Sequence, residues 1–322
     1  MNRRMTLGPR SGWATLLFLL VGLSRTPVHA AETYLFTSFR GNGEDGLHLA
    51  VSTNGYEWSS LGGDRSFLRP TVGGKLMRDP CLARASDGKF HLVWTTGWTA
   101  ESGKVFGYAS SRDLVNWSEQ RGIEVMQNEP KTRNIWAPEL FFDPAARQWL
   151  IFWSSTIPGK FADTDATGDD GYNHRIYFVT TKDFQTFSES KLLYDPGFNC
   201  IDATLLTAHG QCYLIFKDER KNPLKKELRY ATALSPSGPF GPPSAPLTGN
   251  WVEGPSAIQI GGQWLVYFDH YSGKHYYGAV RSVDLEHWED CSREMRFPPG
   301  HRHGTVLSIP AEFARQLAGA VP

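Results

Sequence analysis

Three acidic residues of this chain are placed where their side chains could carry out acid–base chemistry. Asp79, Asp202 and Glu253 occur in Met-Arg-Asp-Pro, Cys-Ile-Asp-Ala and Val-Glu-Gly-Pro, and each begins a strand-like apolar run. Hydrolysis of a glycosidic bond with inversion requires an acid and a base roughly 6.5–9.5 Å apart, on opposite sides of the sugar. Their surroundings must also hold the two pKa values apart. These three residues are candidate catalytic groups if the fold brings them to one cavity.

The elements that must position these acids recur along the chain. A strand, a polar turn and a closing aromatic residue occur together five times, at 46–58, 105–117, 174–187, 228–240 and 276–288. A repeat of about fifty residues with one supersecondary unit per copy indicates a propeller or a solenoid. A second repeat opens on an acidic residue, at Asp79, Glu139, Asp202 and Glu253. The pattern predicts an all-β, five-bladed β-propeller with several carboxylates facing one central pocket.

One of the five units is divided between the two ends of the chain. Residues 303–310 align with the first strand of the other units, and no second strand follows them. Residues 32–39 supply a strand of the missing type. We expect the two to pair in the first blade and so close the ring, which removes two sheet edges. A seven-stranded sandwich is the alternative, but it does not account for two repeats in phase.

Four motifs occur in order: those around Asp79, Asp202 and Glu253, and Asn-Ile-Trp-Ala-Pro-Glu-Leu at 134–140 between the first two. In this respect the chain resembles glycoside hydrolase family 43, whose members are five-bladed propellers that cleave arabinose- and xylose-containing glycans with inversion. The resemblance covers nearly all of the chain after residue 30. It implies that Asp79 is the general base, Glu253 the general acid, and Asp202 the carboxylate that orients the acid and raises its pKa. Ile-Asp-Ala replaces the commoner Ile-Asp-Pro, which leaves the subgroup and the sugar open.

Three further residues are candidate substrate contacts. His303, in Arg-His-Gly-Thr-Val, matches a histidine that many family members place on the propeller axis, often beside a calcium ion or its water shell. His303 is therefore also a candidate neighbour of a structural calcium, while no cofactor is required by the resemblance. Trp136 can stack on a sugar face or pack between blades. Glu139 can contact substrate or water, or make a structural hydrogen bond.

The resemblance implies an inverting glycoside hydrolase that acts on terminal furanosidic or xylosidic linkages of an oligo- or polysaccharide. We expect an α-L-arabinofuranosidase, with a β-D-galactofuranosidase or β-xylosidase as the alternative. A non-catalytic carbohydrate-binding propeller is a hypothesis of another class, against which the presence of all three acids argues. A retaining or transglycosylating enzyme of a related fold would place an acidic motif near the first strand, and residues 32–46 contain no comparable motif.

The N-terminal segment predicts export. Residues 1–30 combine a positively charged start, an apolar run too short to span a bilayer, and Val-His-Ala before residue 31, which is the pattern of a signal peptide. The remaining residues, 31–322, are predicted to form a single propeller domain, monomeric and periplasmic or secreted. The 33 basic and 33 acidic residues balance, so charge gives no support for binding to nucleic acid or a membrane surface.

Two features remain open at this stage. Four cysteines allow three disulfide pairings, although small buried thiols are the favoured interpretation; they are Cys81, Cys200, Cys212 and Cys291. The acidic loop 155–174 lacks the ligand pattern of an EF-hand, so we expect a solvated loop at the mouth of the cleft. Lys217, Asp218 and Glu219 could bind sugar hydroxyls or cap a strand.

Overall fold

A computed structural model describes Met1, Gly8 and residues 32–99 and 102–320 of the chain. The predicted signal peptide, 1–30, therefore lies outside the described residues except for those two positions. Within the described ranges, no helix is long and apolar enough to cross a membrane. The described residues form five antiparallel sheets.

The strands fill the five sheets one after another along the chain. The first sheet contains β1 (Glu32–Ser38), β2 (His48–Ser52) and β3 (Ser59–Ser60). The second contains β4 (Arg78–Arg84), β5 (Phe90–Thr95), β6 (Phe106–Ser111) and β7 (Arg121–Ile123). The third contains β8 (Trp136–Asp143), β9 (Gln148–Thr156), β10 (His174–Thr181) and β11 (Lys191–Tyr194). The fourth contains β12 (Cys200–Ala208), β13 (Gln211–Asp218) and β14 (Glu227–Ala233). The fifth contains β15 (Val252–Ile260), β16 (Gln263–His270), β17 (Tyr276–Ser282) and β18 (Glu289–Asp290).

The last strand, β19 (Val306–Pro310), joins the first sheet rather than forming a new one. It pairs antiparallel with β1, with Val306 opposite Phe36 and Pro310 opposite Glu32. The first strand of each remaining sheet contacts the first strands of its neighbours, as β4 does with β8 and β12 with β15. The sheets are thus the blades of a five-bladed β-propeller, and the prediction of that fold class is confirmed.

The fourth blade has three strands because its outer segment is rich in proline. The sequence Gly-Pro-Pro-Ser-Ala-Pro occupies 241–246, and a proline cannot donate to a strand ladder. The backbone amides of Ser244 and Leu247 still donate to β14, at 2.7 Å and 2.8 Å from the carbonyl oxygens of Tyr230 and Leu228. An extended segment therefore covers the edge that a fourth strand covers in the other blades.

The repeated strand–turn–aromatic sequence corresponds to the turn after the third strand of a blade. In the second blade the Ser111 hydroxyl accepts the backbone amide of Leu114 at 2.8 Å, while the Asp113 carboxylate accepts the amides of the next two residues. Thr181 and Asp183 make the same contacts in the third blade. Short polar side chains that bond their own backbone favour such turns, which explains why this piece of sequence recurs.

The core lies between neighbouring blades. Strand β5 is buried at every position, and so is β9 after its first residue, as near-continuous apolar runs predict. All four cysteines are buried and none is in a disulfide, in agreement with the favoured interpretation. The C-terminal helix α1 (Ala311–Ala320) buries Ala314 and Leu317. In the part of the chain that the structure describes, three short 3₁₀ helices occupy Gly62–Asp64, Ala162–Thr167 and Ser292–Glu294.

Candidate active site

Four of the innermost strands carry a β-bulge near their first residues. At each bulge one residue has a left-handed backbone: Asp79 (φ 52°), Ala137 (φ 48°), Asp202 (φ 51°) and Gly254 (φ 59°). The ladder registers shift at the same four places. A bulge bends its strand and redirects a side chain, and a left-handed backbone at a non-glycine residue is uncommon. The repeated bulge marks the end of the propeller where the acids meet.

The four acids of the second repeat occupy three different positions relative to this bulge. Asp79 and Asp202 are the left-handed residues themselves, Glu253 comes one residue earlier, and Glu139 comes two residues later than Ala137. The four acids that open the second repeat are therefore not structurally equivalent. An alignment of these short motifs does not identify which residue takes the left-handed conformation.

Asp79, Asp202 and Glu253 line a single cavity of about 150 Å³. His303 and Trp136 line the same cavity, so the structure brings together five of the six residues predicted for the site. These residues are far apart in the sequence but close in space, because each acid lies at the start of the innermost strand of a different blade.

Glu139 is not part of that lining. The residue is 7 % exposed, and its carboxylate accepts hydrogen bonds from the hydroxyls of Thr204 and Thr305, at 3.2 Å and 3.4 Å. Burial raises the pKa of Glu139 to about 7, although the charge of His303 acts in the opposite direction. Of the two roles considered for this residue, the contacts correspond to the structural hydrogen bond.

Asp79 is held as a carboxylate. Thr95 Oγ1 donates to its Oδ2 at 2.7 Å, and His303 Nδ1 lies 3.2 Å from its Oδ1. Burial acts to raise the pKa of Asp79, but the charge and hydrogen bond of His303, together with Arg78, lower it below its ordinary range. Burial acts to lower the pKa of His303, and Asp79 more than offsets this, so that it rises to about 9. The two form an ion pair at neutral pH.

Asp202 differs from Asp79 and Glu253 in that its pKa is raised. Its Oδ2 accepts the backbone amide of Gly254 at 3.2 Å and lies 3.9 Å from His303 Nδ1. Burial raises the pKa of Asp202 to about 6; His303 acts against this and Glu253 adds to it.

Glu253 is held between two cations. Lys217 Nζ lies 3.2 Å from its Oε2, and Arg302 Nη2 lies 2.9 Å from its Oε1. Burial acts to raise the pKa of Glu253, but Lys217 and Arg302 lower it below the ordinary value. In the sugar-free protein the pKa of Glu253 is thus lowered and that of Asp202 is raised, whereas the resemblance implies a raised pKa for Glu253. The pKa of Glu253 is lowered because Lys217 and Arg302 flank it. Neither contact was predicted from the sequence.

Residues 29–314 match the model of a family described as a probable glycosyl hydrolase domain, related to family 43. The chain belongs to this family. The predicted resemblance is thereby confirmed at the level of the family.

Three proteins that are similar to this family 43-related propeller share 30% sequence identity or less with it. An α-L-arabinofuranosidase of Bifidobacterium longum subsp. longum is 30% identical over 166 residues, which is 45% of this chain but 15% of that protein. The α-L-arabinofuranosidase of Lactobacillus brevis superimposes with a TM-score of 0.54 at 16% identity, over 66% of this chain and 72% of the other. An exo-β-1,3-galactanase of Clostridium thermocellum gives 0.51 at 14% identity, over 69% and 50%. The two structural similarities support the fold.

Several residues of the propeller's cavity were not singled out from sequence. They are Arg78, Thr95 and Trp98, with Lys217 and Glu219 left between two roles. Trp98 follows strand β5 in the turn Thr-Gly-Trp-Thr, and a large aromatic in a polar turn was the available signal. Arg302 stands beside His303 in the sequence, yet its contact with Glu253 depends on the path of the segment before β19.

The surroundings of His303 do not fit a calcium ion held by protein ligands. Calcium takes six to eight oxygen ligands, whereas His303 Nδ1 is engaged by Asp79. Throughout the described ranges, no three His, Cys, Asp or Glu side chains are arranged around a common metal position.

Proposed function

We propose that this protein is an inverting glycoside hydrolase that removes a terminal sugar from an oligo- or polysaccharide. The observation that carries the proposal is the convergence of Asp79, Asp202 and Glu253, from three blades, on one small cavity. Their pKa values are shifted in different directions, and such divergence is what paired acid and base roles require. Family membership supports the same class of reaction.

Each acid has a distinct proposed role. Asp79, held ionised, takes the proton of a water molecule whose oxygen attacks the anomeric carbon. The bond from that carbon to the leaving oxygen breaks as Glu253 gives the oxygen a proton. Because Lys217 and Arg302 hold Glu253 ionised in the free protein, we propose that Asp202 supplies the proton that Glu253 delivers. One inverted sugar and one free alcohol result.

We propose α-L-arabinofuranose as the terminal sugar, because two of the similar proteins are named as α-L-arabinofuranosidases. A β-D-galactofuranosidase or β-xylosidase is the alternative, since the residues around the acids decide the sugar. The predicted signal peptide supports a periplasmic or secreted location, and we propose a monomer.

The test is hydrolysis of three aryl glycosides, the α-L-arabinofuranoside, β-D-galactofuranoside and β-D-xyloside, by the full-length protein. We expect turnover of the first and its loss in Asp79→Asn. Phe142→Ala, which removes an exposed aromatic residue outside the cavity, is the matched control and should retain activity. Proton NMR of the first product formed should show the inverted anomer; release of the retained anomer would exclude inversion. Specific sugar binding without turnover would instead indicate a non-catalytic carbohydrate-binding propeller.

A further inference from the structure

The second strand of each bulged blade carries one residue at the level of the bulge. In the ladder this residue lies opposite the one that precedes the left-handed residue. The pairs are Thr95 with Arg78, Ser154 with Trp136, Lys217 with Ile201, and Asp269 with Glu253. The four members on the second strands, which we call the second-strand residues, are Thr95, Ser154, Lys217 and Asp269. They occupy one structural position in four blades, although their side chains differ.

Three of the second-strand residues contact the candidate catalytic groups directly. These contacts are from Thr95 Oγ1 to Asp79 Oδ2 at 2.7 Å, from the backbone amide of Asp202 to Ser154 Oγ at 3.1 Å, and between Lys217 Nζ and Glu253 Oε2 at 3.2 Å. A side chain at this position of a blade can therefore support an acid of the catalytic cavity.

The fourth second-strand residue, Asp269, is connected to Glu253 through Arg302. The arginine donates from Nε to Asp269 Oδ2 and from Nη2 to Glu253 Oε1, each at 2.9 Å. Nε and Nη2 form one edge of the guanidinium, and such an edge can hold a single carboxylate through two parallel hydrogen bonds. Because Asp269 occupies half of this edge, Glu253 receives one hydrogen bond from Arg302 rather than two.

Asp269 depends on this arginine. The residue is 2% exposed, and within the described residues its ion-pair partner is Arg302. Burial and the charge of Glu253 raise the pKa of Asp269, while Arg302 and His303 act in the opposite direction. Like charges directly opposite each other on neighbouring strands destabilise a sheet, so the pair of Asp269 and Glu253 requires a cation between the two carboxylates.

The side chain of Arg302 has room to turn, whereas its main chain is fixed. Its backbone amide donates to the carbonyl oxygen of Phe39 at 3.1 Å, which ties the segment before β19 to the first blade. Arg302 and Asp269 line a separate cavity of about 920 Å³ and are not part of the catalytic lining. If Asp269 lost its charge, the guanidinium could therefore turn and present its whole edge to Glu253.

We propose that Asp269 is a positioning residue for the proton donor, which it controls by holding one half of the Arg302 edge. It thereby limits how strongly Arg302 binds the Glu253 carboxylate and keeps that carboxylate able to accept a proton from Asp202. The proposal rests on the proposed function, because it concerns the proton that Glu253 delivers. Without Asp269, two charge-assisted hydrogen bonds from Arg302 would favour the ionised form of Glu253 further.

Asp269→Asn tests the proposal, since it removes the charge and keeps the size of the side chain. We expect kcat/KM on α-1,5-arabinotriose to fall roughly tenfold, which corresponds to a decrease of about one in the pKa of Glu253. The value on 2,4-dinitrophenyl α-L-arabinofuranoside, whose leaving group needs no proton, should change little. In a Glu253→Gln background the same substitution should have no further effect on either substrate.

Asp218→Asn is the matched control. Asp218 is a fully buried aspartate that pairs with Arg220 and Arg229 and does not line the catalytic cavity. Any loss of activity in this variant should be the same on both substrates, because it would come from the fold and not from proton delivery.

A crystal structure of sugar-free Asp269→Ala provides a measurement that needs no turnover. We expect Nε and Nη2 of Arg302 both to lie within hydrogen-bond distance of Glu253. Equal losses on both substrates in Asp269→Asn, a further loss in the Glu253→Gln background, or an Arg302 that still binds Glu253 through Nη2 alone would overturn the proposal. A rearranged Arg302 in a protein that hydrolyses no glycoside would remove the proposed function and leave the control of Arg302 by Asp269 assigned.

Discussion

The proton donor can be identified by replacing Glu253 with Gln and comparing two substrates that differ in their leaving group. A sugar leaving group requires a proton as its bond breaks, whereas 2,4-dinitrophenolate leaves without one. General acid catalysis contributes roughly a hundred- to ten-thousandfold. Glu253→Gln should therefore lower kcat/KM by about that factor on the oligosaccharide, and far less on the dinitrophenyl glycoside.

The structure also predicts the pH at which proton delivery fails. Burial raises the pKa of Asp202 from 3.8 to about 6, which corresponds to about 3 kcal/mol of tighter proton binding. Lys217 and Arg302 lower the pKa of Glu253, so Asp202 is the group that retains the proton as the pH rises. At pH 7 roughly one Asp202 in ten is protonated. The alkaline limb of kcat/KM on the oligosaccharide should consequently lie near pH 6.

Initial rates between pH 4 and pH 9 on both substrates provide the assay. Glu139→Gln is the matched control, because Glu139 is a buried carboxyl group that does not line the cavity; its effect should not depend on the leaving group. Equal losses on both substrates in Glu253→Gln would remove Glu253 from the donor role. An alkaline limb that is the same for both substrates would refute the reasoning about Asp202.

Three other perturbations have clear expectations. Gly254→Ala places a Cβ about 2.3 Å from His303 Cγ at a backbone φ of +59°; we expect a lower Tm by differential scanning calorimetry and lost activity, and an unchanged Tm would contradict the close contact. The His303 pKa is raised to about 9, so its ion pair with Asp79 stabilises fully below about pH 6.5 and is lost as the pH rises through about 9. His303→Gln should remove that alkaline loss of Tm, whereas an identical pH dependence would contradict the pairing. Because the four cysteines are free, dithiothreitol should leave the Tm unchanged, and a reduced Tm would indicate a disulfide.

The five-bladed architecture could be predicted because its repeat has a local cause. The side chains of residues such as Ser111 and Asp113 accept hydrogen bonds from the backbone of their own turn. The same short sequence therefore recurs from blade to blade and can be recognised. The positions of Asp79 and Asp202 were likewise predictable, since each begins an apolar strand.

The charges around Glu253 could not be predicted in the same way. Lys217 reaches it from the second strand of the fourth blade and Arg302 from the segment before β19, and only the packing of three blades brings them together. The position of each bulge could not be predicted from the sequence either. In the third blade the left-handed residue is Ala137 rather than Glu139, and this depends on how the strand pairs with its neighbour. The fold class was therefore predictable from local contacts, whereas the pKa shifts of Asp202 and Glu253 depend on long-range contacts.

The same long-range charges extend from the catalytic cavity to the loop before β10. Acids and cations alternate from the catalytic cavity to the loop in the order Glu253, Lys217, Glu219, Lys226, Asp169 and Lys221. Lys217 and Lys226 are each 3% exposed and each is shared by two acids, and a buried cation that loses one partner binds the other more strongly. Loss of the negative charge of Glu219 would therefore change how tightly Lys217 holds Glu253.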